Sequence, residues 1–226
     1  MPSAVDICNV ALAHIGDIAT VSSIDPPEGS AQAQHCARFY PIARDAALEM
    51  HAWNFSMRRV ALAKVTNSWT EWLYAYAVPS NANNIISVIP SDALDDYSET
   101  FPPTWPNSQF PYGAPSPAAV AYVPQPYTIE IDATGTPVLL TNQEDAVLRY
   151  TAFVTDTTTF SPLFVTTLTY HLASMLAGPV IKGQEGRKVA AEMAAMAKYW
   201  LGRATASDAT QRNVKAVQSV PWMAGR

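Results

Sequence analysis

Between residues 30 and 53 apolar side chains recur with a helical period. Cys36, Tyr40, Ala43, Ala47 and Met50 follow one another at four- and three-residue intervals, which lays one apolar stripe along a helix. Arg38, Arg44, Asp45 and Glu49 fall off that stripe, towards water or a neighbouring subunit. Ser30 stands where an N-cap belongs, just after the Pro26-Pro27 pair of a loop. An unbroken helix here is about 36 Å long at about 1.5 Å per residue. Pro41 removes one hydrogen bond to the Ala37 carbonyl and is expected to bend the rod. The helix runs into Trp53-Asn54-Phe55.

Before it, Ser3 and Asp6 form a capping-box pair, and Ala4, Ile7, Cys8, Ala11, Leu12 and Ile15 share a helix face that Gly16 is placed to end. After Trp53 the period shortens to two. Val60–Val65, the Trp72, Tyr74, Tyr76, Val78 alternation and Asn84–Ile89 read as strands. Residues 91–126 hold eight prolines together with Phe101, Trp105, Phe110 and Tyr112. That composition predicts an irregular loop anchored by aromatics, with a disordered segment as the alternative. Tyr127, Ile129 and Ile131, a turn through Asp132-Ala133-Thr134-Gly135, and Val138–Thr141 form a hairpin pattern, and Ala146–Val154 reads as a further strand.

Ser161-Pro162 is a cap followed by proline at the first helical position, and Phe164, Leu168, Leu172 and Met175 carry the stripe. Gly178-Pro179 is expected to kink or end this helix. The last helix spans 187–206, with Val189, Met193, Met196, Trp200 and Ala204 inward. The expected fold is α+β, mainly α. Two helical hairpins (1–56 and 157–206) close a four-helix bundle, because each carries one apolar stripe in need of cover. Residues 57–156 form a β-rich, Pro-rich insert with the irregular loop 91–126, and 207–226 form an extended C-terminal tail.

Composition adds little to the fold and more to the partners. Hydrophobic residues make up 49% of the chain and charged residues 15%, which suits either extensive subunit contacts or an uncharged polar surface. The net charge of −5 argues against a grip on duplex nucleic acid. It is unevenly spread. Residues 90–160 hold nine acids and one base, whereas 161–226 hold three acids and eight bases, so two surfaces of different character are expected. Cys8 and Cys36 read as free buried thiols, a disulfide remaining open. No signal peptide and no membrane span is expected.

The chemistry-bearing residues form no known signature. His14, His35, His51 and His171 lack metal-ligand spacing, and no phosphate loop, dinucleotide glycine pattern or nucleophile elbow occurs. No metal and no cofactor is expected. Asp95, Asp96 and Glu99 form a carboxylate cluster that glycan hydrolysis could use, although a solvated acidic loop explains it as well.

Ala4–Gly16, the helix through Ala43-Arg44-Asp45-Ala46, its end Trp53-Asn54-Phe55, and Arg58-Arg59-Val60-Ala61-Leu62 resemble the tail tubular protein A family of T7-like podoviruses. Thr141–Tyr150 and Leu172–Gly183 resemble its second half, and the Pro-rich segment 91–126 departs from it. The resemblance implies a non-enzymatic structural protein of the virion neck, a head-to-tail adaptor. Members form a ring, generally of twelve copies, between the portal protein and the tail nozzle protein. Genomic DNA passes through without sequence-specific binding, and no membrane is involved. An acidic or neutral channel wall would let phosphates slide. On this reading Arg212, Lys215, Val220, Trp222, Met223 and Arg226 contact the portal, and Trp105, Phe110 and Tyr112 contact a neighbouring subunit or the nozzle. The other readings are a tail-associated glycan hydrolase and a monomeric soluble binding module.

Overall fold

Three serine caps read from the sequence are made in the computed structural model, which describes residues 2–91 and 125–211. At the start of α1 (Ala4–His14) the Ser3 hydroxyl accepts from the Asp6 amide at 3.1 Å, and the Asp6 carboxylate accepts from the Ser3 amide at 2.8 Å. Ser30 caps α2 (Ala31–Glu49) through the Ala33 amide, and Ser161 caps α3 (Pro162–Ile181) through that of Phe164. Each cap satisfies a donor that helix geometry leaves unpaired. Gly16 follows α1 at φ 81°, a left-handed conformation that costs glycine little. The loop after it is tied back by Asn9, whose side-chain amide donates to the Val21 carbonyl at 2.9 Å and accepts from the Val21 amide at 2.7 Å.

The described chain divides into two compact units, one of residues up to Met57 and from Thr151 to the end of the last helix, the other from Arg58 to Tyr150. The helical unit holds α1, α2, α3 and α4 (Gly183–Thr210). α3 is its centre and packs against each of the other three. Eight of its residues are buried, among them Phe164, Leu168, Leu172 and Leu176. It is also apolar and long enough to cross a membrane, and packing on three helices accounts for that apolarity. The Trp53-Asn54-Phe55 phrase lies at the aromatic heart of this core. Trp53 is fully buried, donates its indole N–H to the Ala47 carbonyl at 2.9 Å and meets Phe164 edge-on at 5.0 Å. Phe55 packs on Phe160 and Phe164 at 5.5 and 5.1 Å. Cys8 and Cys36 are free and buried between α1 and α2. A hydrogen bond to Cys36, and then burial, push the Cys8 thiol far above the ordinary range.

The second unit contains two antiparallel sheets. One has the order β1-β7-β4, from β1 (Met57–Ala61), β7 (Ala146–Ala152) and β4 (Ala82–Pro90). The other has the order β2-β3-β6-β5, from β2 (Lys64–Val65), β3 (Tyr74–Ala77), β6 (Pro137–Thr141) and β5 (Tyr127–Ile131). β5 and β6 form the expected hairpin, with Ile129 opposite Leu139. Its turn is held by the Asp132 carboxylate, which accepts from the amides of Thr134 and Thr136 at 2.8 and 2.9 Å. Ala75, Val138 and Leu140 form a small core on one face, covered by Trp69 and Trp72. Period-two alternation along β3 and β6 places these residues on one side of the sheet.

The α+β, mainly α four-helix bundle carrying a β-rich, Pro-rich insert is therefore corrected. Among the described residues there are four helices and two antiparallel sheets of seven strands, 47% helix and 23% strand. The strands do not decorate a bundle: they bury their own residues in sheets. The helices, for their part, gather around α3. Three local expectations change as well. α3 continues through Gly178-Pro179 to Ile181 and turns directly into α4 at Lys182, whose φ is 62°. α4 runs to Thr210, beyond Ala206, where the sequence reading ends it. Met50, placed on the buried stripe of α2, is 49% exposed, because the helix has ended there and the stripe closes with Ala47 and Leu48.

Candidate interaction surface

The residues singled out from sequence for contact with partners all lie outside the described residues. This holds for Arg212, Lys215, Val220, Trp222, Met223 and Arg226, and equally for Trp105, Phe110 and Tyr112. The carboxylates Asp95, Asp96 and Glu99 also lie outside them. The structure instead shows how the segment before residue 212 is fixed, and which helix face is left open.

The last turn of α4 is held by Asp208, 5% exposed and the only buried acid among the described residues. Its carboxylate accepts from the Asn54 amide at 3.1 Å and lies 3.2 Å from His51 Nε2. The Asn54 side-chain amide donates to the Asp208 carbonyl at 2.7 Å. One acid thus ties the end of α4 to the chain leaving α2, and so sets where residues 212–226 begin. A buried carboxylate is tolerated because these donors replace its water. In the sequence Asp208 is only the lone acid of a basic stretch, a faint signal, since its partners lie more than 150 positions away.

α4 is 28 residues long yet buries only Gly186, Ala197, Ala204 and Asp208. These small residues let it lie close on α3, and a Cβ on Gly186 would come within 3.0 Å of the Ala177 carbonyl oxygen. The opposite side is uncovered. Met196, read from sequence as inward, is 38% exposed, and Tyr199 is 53% exposed. Val189, Met193 and Ala204, also read from sequence as inward, do belong to the core of the helical unit, as do Ala190 and Leu201, and Ala197 is buried. Arg203 donates to the Tyr199 hydroxyl at 2.9 Å, and its guanidinium lies 5.5 Å from the centre of that ring and 5.9 Å from that of Trp200. Methionine, tyrosine and arginine standing out from a helix, with an aromatic base beneath, are side chains that carry binding energy at protein interfaces.

Two groups of the helical unit with altered chemistry, His14 and His171, are half-buried. Burial holds the His14 and His171 imidazoles below their ordinary range. His14 stacks on Tyr170 with ring centres 4.1 Å apart, and His171 Nε2 is buried without a partner among the described residues. Among the described residues no three histidine, cysteine or acidic side chains are placed to hold a metal ion. Comparison with known proteins gives no matching family model and no matching curated protein.

Proposed function

We propose that this chain is a head-to-tail adaptor of a podovirus-type virion, a ring subunit that joins portal to nozzle and surrounds the DNA path. The observation that carries this reading is the open side of α4. A 28-residue helix in which only four residues are buried and which presents Met196, Tyr199 and Arg203 outward suits a protein that completes its packing against other chains. The likeness of residues 4–16, 43–62, 141–150 and 172–183 to tail tubular protein A supports the same role. So do the low charged content and the basic stretch from 161 onward. No catalytic step is assigned; the work is assembly.

In this role residues 212–226 attach to the portal, with Trp222 as the anchor among Arg212, Lys215, Val220, Met223 and Arg226. The Asp208 clamp presents that segment at a fixed point. The test is co-sedimentation with purified portal. The chain should be cut after Gln211, not after Ala206, because the earlier cut removes Asp208 and leaves the Asn54 amide unpaired. The shortened protein should fold normally and fail to sediment with portal. Trp222→Ala in the full chain should weaken attachment by about 2 kcal/mol. Undiminished binding after the cut would show that residues 212–226 are not the connector.

A further inference from the structure

Two fully buried side chains of the helical unit carry chemistry that assembly does not use. Cys8 stands on the inner face of α1 and Cys36 on that of α2, both at 0% exposure in one core. Ala11 follows Cys8 by one helical turn, Ala33 precedes Cys36 by one, and both alanines are buried. Small neighbours let the two helices approach closely there. The thiols are in contact. Cys8 donates its S–H to the Cys36 sulfur, which holds the proton on Cys8 and draws the Cys36 thiol below its ordinary range. No bond joins the two sulfurs.

A third buried group lies beside them. Tyr40 follows Cys36 by one turn on α2, is 5% exposed, and feels the charge of a Cys8 thiolate. Its hydroxyl is buried without a partner among the described residues. Burial pushes this phenol up to about 12, so it stays a neutral donor. A buried donor left without an acceptor costs stability, and such a group calls for a reason. Next to the sulfurs it has one: a neutral O–H stabilises the negative sulfur through which thiol–disulfide exchange passes.

We propose that Cys8 and Cys36 are a redox pair, which closes to a disulfide between α1 and α2 on meeting a low-molecular-weight disulfide and reopens on meeting a thiol. The Cys36 thiolate attacks one sulfur of the reagent. The reagent's S–S bond breaks, and one half leaves as a thiolate that takes up the proton Cys36 has lost. Cys8 then attacks the Cys36 sulfur of the mixed disulfide, and the second half leaves with the Cys8 proton. Two electrons pass from the cysteines to the reagent, which ends as two thiols. Both sulfurs are buried, so the first attack awaits a local opening of α1, and closure is slow. The closed bond encloses residues 9–35 and constrains the unfolded chain more than the folded one. In a reducing compartment the pair stays open; in an oxidising one the helical unit gains a staple. This chemistry depends neither on the adaptor role nor on residues 212–226.

The test incubates the full-length protein with hydroxyethyl disulfide under native conditions until no further change occurs, then denatures and alkylates it. Intact mass should show a chain two hydrogens lighter that takes up no alkylating reagent. Peptide mapping should show the Cys8 peptide joined to the Cys36 peptide, and a thiol reductant should restore both alkylation sites. The closed form should melt about 5–10 °C above the reduced form. Cys8→Ala and Cys36→Ala should show no such rise after the same treatment. Mass and mapping are read on the wild type, so a variant that folds poorly cannot hide the outcome. Two thiols still free for alkylation, mixed disulfides that never resolve, a link between separate chains, or a closed form that melts no higher than the reduced one would each overturn the redox assignment.

Discussion

Asp208 shows how much a single side chain can organise. Its carboxylate and carbonyl receive donors from Asn54, and its near-complete burial makes those donors indispensable. Asp208→Ala should destabilise the helical unit by about 1–3 kcal/mol, since the Asn54 amide is left without its acceptor; denaturant unfolding measures this, and an unchanged midpoint would mean the clamp is dispensable. The half-buried histidines act through pH. His14 and His171 have folded-state values held below the ordinary 6.5 by burial. The unfolded chain therefore takes up protons first as pH falls, and stability declines from about pH 6.5 downward through the folded values. His171→Phe should flatten that decline when unfolding is followed between pH 7 and 5. The exposed carboxylates of Asp6, Glu28, Asp132 and Asp156 are held low by hydrogen bonds from neighbouring serine and threonine residues. Their contribution is lost only at lower pH, below the ordinary carboxylate values of 3.8 and 4.5.

At the scale of elements, local chemistry was readable and choice of face was not. The Ser3, Ser30 and Ser161 caps involve residues three apart, so sequence alone exposes them. The Tyr127–Thr141 hairpin is likewise local. Met50 and Met196 were misplaced because a stripe does not announce where its helix ends, or which of several alanines lies closest to the next helix. Met50→Asp should consequently be tolerated, whereas Ala43→Asp places a charge at a fully buried position and should unfold the protein. Thermal melting of the pair distinguishes them. The glycines of α4 divide in the same way. Gly202 has open space where a Cβ would go, so Gly202→Ala should stabilise by up to about 1 kcal/mol. Gly186→Ala presses on the Ala177 carbonyl and should forfeit that gain. Equal stabilisation by both would show that α3 and α4 are not in close contact there.

At the scale of the whole molecule the strand pairings were the hidden part. β7 lies between β1 and β4, and β3 pairs with β6, pairings of residues far apart in the chain that no local period specifies. Hence a unit with two sheets read as an insert. The candidate contact residues were legible only as types, a lone tryptophan in a basic terminus and aromatics among prolines. The open α4 surface emerged only once the helices were seen to gather around α3. The central claim concerns what copies of this chain do together. Its most direct measurement is electron microscopy of the full-length protein incubated with portal rings. Closed rings with an open channel, seated coaxially on the portal, are the expected result. Single chains that leave the portal bare, at concentrations where the protein is folded, would contradict it.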